Sequence, residues 1–81
     1  MVRLNIRFMK YNIHDILEYI VALVSDFADK FGMTEKNAYN YILKYGGVDF
    51  IETNYGILHT LDFKEVVDSV ALYCRRMGGE L

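Results

Sequence analysis

His59 and Thr60 stand side by side in Leu58-His59-Thr60-Leu61, and a histidine beside a hydroxyl is raw material for nucleophilic catalysis. That chemistry needs the imidazole held within hydrogen-bond reach of the hydroxyl as its base. Adjacent residues seldom point at one another, and no glycine-flanked nucleophile turn surrounds the pair. Asp49 and Glu52 offer paired carboxylates for acid–base work. Their three-residue spacing equally suits the start of a helix, where capping and the helix dipole account for both. Zinc wants three or four converging ligands, whereas His14 and His59 lie 45 positions apart and Cys74 sits among apolar helical neighbours. Gly46-Gly47 leads into an acidic stretch that would repel a phosphate. No catalytic residue, metal, cofactor or small-molecule ligand is therefore assigned. Asp49, Tyr55, His59 and Thr60 are retained as a candidate motif, functional or structural. His59 is expected to bond a loop carbonyl or cap a helix and, with Thr60, to organise the approach to the last helix. The competing reading makes His59 the working group of an enzyme.

The elements that position these residues read as helices. Asn12 is a plausible cap, with Asp15 three residues on. Apolar residues then recur at Ile13, Ile16, Leu17, Ile20, Val24, Phe27, Ala28 and Phe31, and Val21 with Leu23 widens the stripe of what reads as the central helix. Gly32 supplies its stop. Thr34 caps a second helix with Ala38, Tyr41, Ile42 and Tyr45 facing inward, ended by Gly46-Gly47. Asp49 opens a short helix through Tyr55, closed by Gly56. Asp62 with Glu65 opens the last helix, whose stripe is Phe63, Val66, Val67, Val70, Ala71, Cys74 and Met77; Gly78-Gly79 ends it. The fold class is all-α: a small compact helical domain of three main helices plus one short one, occupying residues 13–77.

Residues 1–12 differ. Val2, Leu4, Ile6 and Phe8 alternate with Arg3, Asn5 and Arg7, the period-2 pattern of a half-buried strand. Such a strand needs a mate. The options are the Ile57–Leu61 segment, its own copy in a dimer, or incorporation into the first helix. Tyr39 and Leu43 form a row off the inner stripe of the second helix, and tyrosine is a favoured interface anchor. Val2, Leu4, Ile6, Phe8, Tyr39 and Leu43 are accordingly the candidate interface, and a homodimer or a protein partner is expected for a core of only 81 residues.

Charge narrows the partners. The net charge is −2, yet residues 1–12 carry three cations and no acid, and residues 13–74 carry ten acids against four lysines. An acidic body with Asp49 and Glu52 on the only short helix that could read a groove argues against nucleic acid. A small DNA-associated regulator is the runner-up. The longest apolar run, Ile20 to Val24, is far short of a membrane span, no signal peptide is apparent, and a lone Cys74 suits a reducing compartment. A cytoplasmic location is expected.

The run Tyr41-x-x-x-Tyr45-Gly46-x-x-Asp49-Phe50-Ile51-x-x-x-Tyr55-x-x-Leu58-His59-Thr60, followed by Val67-Asp68 in a terminal helix, resembles a small bacterial family catalogued as domain of unknown function 3791. The resemblance covers roughly residues 16–77. Family members are often encoded beside ADP-ribosyltransferase-like or other toxin-like proteins, which implies a partner or antitoxin-like role. It supplies no catalytic residues to transfer, and the basic, alternating start lies outside the family's pattern.

Overall fold

Nineteen residues from Ile13 to Phe31 form α1, the helix around which the rest is arranged. Asn12, in an extended conformation, accepts a hydrogen bond from the His14 amide and starts it; Gly32 at φ 65° ends it. A computed structural model describes residues 11–81 of the chain. After α1 come α2 (Glu35–Lys44), α3 (Gly47–Thr53), α4 (Tyr55–Leu58) and α5 (Phe63–Arg76), with no strand among the described residues. Thr34 caps α2 by accepting from the Asn37 amide, as its sequence position requires. The core is one cluster in which Leu23 and Phe27 of α1, Ile42 of α2, Ile51 of α3 and Val66, Val70 and Cys74 of α5 are fully buried. Besides packing, α1 is tied to α4 by the Tyr19 hydroxyl donating to the Leu58 carbonyl (3.1 Å) and to α5 by the Lys30–Asp68 ion pair.

The second helix meets the third at a close approach. Gly47 is buried, and a Cβ there would lie 2.5 Å from Ile42 Cγ2 and 3.1 Å from Cys74 Sγ. Glycine is what lets the start of α3 press onto both α2 and α5.

Several sequence expectations need correcting. The short helix begins at Gly47 and ends at Thr53, so Asp49 lies in its first turn rather than at its cap, and Gly46 (φ 81°) is the cap. Asn54 breaks it: the backbone N–H and side-chain amide of Asn54 both donate to the Phe50 carbonyl, at 3.1 and 2.8 Å. This is the competition a short amide side chain offers to helix continuation. Gly56 therefore does not close that helix; it lies inside α4, an additional single turn. Residues 57–61 run through α4 and the turns after it, so they offer the N-terminal segment no extended mate. Nor does α1 incorporate that segment, since it starts at Ile13 behind an extended cap. Asp62 caps α5 by position but makes no side-chain cap bond. Met77 is exposed beyond the end of α5, and Ile13, Leu17 and Val21, assigned to the buried stripe of α1, are also exposed. The interface candidates Val2, Leu4, Ile6 and Phe8 lie outside the described residues.

Candidate functional site

The motif residues are positioned by two turns of backbone whose carbonyls each take two bonds from one residue. Asn54 sets the pattern at Phe50. At the end of α4, the His59 amide (3.0 Å) and ring Nδ1 (2.8 Å) converge on the Tyr55 carbonyl. Thr60 repeats it, its amide (3.1 Å) and hydroxyl (2.7 Å) both meeting the Ile57 carbonyl. Helices this short leave most of their terminal carbonyls without intrahelical partners, and doubled donors are one way to hold the ends. A carbonyl only accepts, so Nδ1 of His59 carries the hydrogen of this bond. His59 and Thr60 thus each reach back to a different carbonyl and make no nucleophile–base pair with one another.

Around this turn the structure gathers aromatic rings from three parts of the chain. Tyr55 stacks on the His59 ring (4.6 Å between centroids, 10° between planes) and takes Tyr11 and Tyr19 edge-on at 5.0 and 5.3 Å. Tyr11 also meets His59 edge-on at 5.6 Å, and Tyr19 reaches Phe63 at 5.2 Å. Gly56 makes room for this: a Cβ there would sit 2.7 Å from the Tyr11 hydroxyl. Burial pushes the Tyr55 hydroxyl above the ordinary tyrosine value, and the Asp15 carboxylate and Tyr11 add to the shift. Burial does the same at Tyr19, with Tyr55 contributing. Both phenols stay neutral: Tyr55 serves in ring packing, and Tyr19 packs and also donates to the Leu58 carbonyl. Asp49 is exposed in the first turn of α3, at the other end of that helix from Tyr55. The structure therefore brings Tyr55 and His59 together and leaves Asp49 and Thr60 in separate local roles. Tyr11 and Tyr19, which sequence reasoning did not attach to the motif, complete it.

The group with metal-ligand spacing among the described residues is His14, Asp15 and Glu18, whose ligand atoms lie within 4.8 Å of one another. All three are exposed, and His14 Nδ1 to Glu18 at 3.4 Å is an ordinary i,i+4 pair on the surface of α1. Cys74 is buried, and burial pushes its thiol above the ordinary value, which makes it a poor nucleophile.

A second feature is apolar. On α2, Tyr39 and Leu43 are 41% and 51% exposed, as their position off the inner stripe implies. On α1 a longer row runs at four-residue spacing: Ile13 (58%), Leu17 (54%) and Val21 (67%). Beside its far end, Ile20, Val21 and Val24 of α1 and Glu35, Lys36 and Tyr39 of α2 line an open groove of about 280 Å³. Sequence reasoning merged the row with the core stripe. The signal was present in the width of that stripe, which carries more apolar residues than one buried face of a helix can hide.

Residues 18–76 match the model of a family described as a protein of unknown function, DUF3791. No curated protein and no solved structure matches the chain.

Proposed function

The chain belongs to the DUF3791 family, and from that premise we propose that it is a non-catalytic protein-interaction domain, an antitoxin-like or regulatory partner that associates with itself or with another protein. The observation that carries this reading is the apolar face of α1 and α2, with Ile13, Leu17 and Val21 more than half exposed in one row beside the groove under Tyr39. A contiguous apolar surface on a small domain is where a second protein surface gains by association. The capping bonds of His59 and Thr60 support a structural role for the motif over a catalytic one. The buried single cysteine fits a reducing compartment such as the bacterial cytoplasm. Among the described residues no helix is long and apolar enough to cross a membrane.

Light scattering after size exclusion, with affinity capture from native lysate, tests the reading on the wild-type chain and a Leu17→Asp/Val21→Asp variant. The wild type is expected to run as a homodimer or to retain a stoichiometric partner, and the variant to lose that association while keeping its helical circular dichroism. A monodisperse wild-type monomer at tens of micromolar that captures nothing would overturn it.

A further inference from the structure

We propose that the turn following α5, Gly78-Gly79, is a latch that lifts off α2 by itself while the helices stay packed, and that the buried hydroxyl of Tyr41 sets how readily it lifts. The latch needs no partner and does not depend on the association proposed for the face of α1 and α2.

The ring of Tyr41 lies against Tyr45 (5.0 Å between centroids) and against Phe27 of α1 (6.0 Å). Its hydroxyl is buried and has no hydrogen-bond partner among the described residues. Gly79 covers it. Gly79 is itself buried, and a Cβ at that position would collide with the Tyr41 hydroxyl and lie 2.8 Å from the ring Cζ. The carbonyl of Cys74, 3.0 Å from the same Cβ position, is already taken by the amides of Gly79 (2.9 Å) and Met77 (3.2 Å), which use its two lone pairs. A buried hydroxyl without a partner costs its desolvation, and that cost disappears once water reaches it. The closed turn therefore carries a penalty that the open turn does not.

The fastening of the turn is weak by design of its residues. α5 ends at the Met77 cap, and Gly78 follows at φ 107°, a value that side chains rarely adopt. The Gly79 amide donates to the Cys74 carbonyl and the Gly78 amide to the Arg75 carbonyl (3.1 Å), the paired bonds of a Schellman turn. Such a turn is often clamped by an apolar side chain at the position Gly79 occupies, packed back onto the helix. Glycine supplies no clamp, and the flanking Met77, Gly78, Glu80 and Leu81 are all exposed. Both amides find water when the turn opens. Opening uncovers the tip of Tyr41 and the edge of Tyr45, which lies 4.0 Å from the Cβ position of Gly78.

Amide hydrogen exchange followed by NMR on the full chain tests the latch, comparing Gly79 with Val70 in the fully buried part of α5. In the wild type, Gly79 should be protected yet exchange faster than Val70, at a rate that low urea leaves unchanged. That combination marks a local opening that exposes little surface. Tyr41→Phe keeps the ring and removes the hydroxyl. Its Gly79 amide should exchange about tenfold more slowly than in the wild type, with helical circular dichroism retained. Gly79 and Val70 exchanging at one rate with one urea dependence would overturn the latch, since the turn would then part only with the whole fold. An unprotected Gly79 overturns it as well, because the turn would not be closed. A Tyr41→Phe chain whose Gly79 exchange is unchanged or faster, or which melts below the wild type, also overturns it, because the hydroxyl would then be held by a partner.

Discussion

The Tyr55 carbonyl holds two donors from His59, and that duplication sets how much the ring contributes. His59→Ala removes the ring bond and the stacked face over Tyr55 while the amide bond to the same carbonyl remains. Because His59 is exposed, the loss should be about 0.5–1 kcal/mol, read as a fall of about 2–6 °C in thermal melting. An unchanged melt with lost self-association or partner capture would instead place His59 in a contact surface. The local half of this site was legible in sequence, since residues 55 and 59 are one helical turn apart. The other half was not. Tyr11 and Tyr19 reach Tyr55 from more than 30 positions away, and neither periodicity nor spacing encodes which distant ring closes over a buried one.

Among the elements, α3 depends most on a single position. Gly47→Ala forces a methyl against Ile42 and Cys74, and urea denaturation should show about 1–3 kcal/mol less stability despite alanine's better helix propensity. The join of α1 to α5 is sensitive to pH. The hydrogen bond and charge of Lys30 hold the Asp68 carboxyl below the ordinary aspartate value. A carboxylate depressed on folding contributes stability above its unfolded pKa, about 4, and loses it as the pH falls through the lower folded value. Asp68→Asn should therefore melt below the wild type at neutral pH and converge with it in acid; a gap that persists at low pH would assign the loss to packing. Helix existence was readable at α1, α2 and α5, where cap positions and apolar spacing agreed, and α4 was not foreseen. The boundaries around α3 and α4 were not readable. The stop at Asn54 comes from its own side chain, and Gly56, which reads as a breaker, is kept helical with the Tyr11 hydroxyl against it.

For the molecule as a whole, the acidic body between basic ends governs long-range encounters. Arg75 and Arg76 are exposed at the end of α5, too few to outweigh the acids along the helices. Duplex DNA should show negligible binding by gel shift at about 0.15 M salt; sequence-dependent retention at micromolar protein would favour the DNA-associated alternative. What the sequence could not reveal at this scale was which apolar residues of α1 would be left over once α2, α3 and α5 had docked, because that depends on how many helices the face receives. The thiol of Cys74 has a different consequence. It is the one cysteine in the chain, fully shielded between α5 and the start of α3, and burial keeps it protonated. A thiol reagent can reach it only when those elements separate. Its labelling rate is therefore a built-in clock for opening events, readable in the unmodified protein without an added probe.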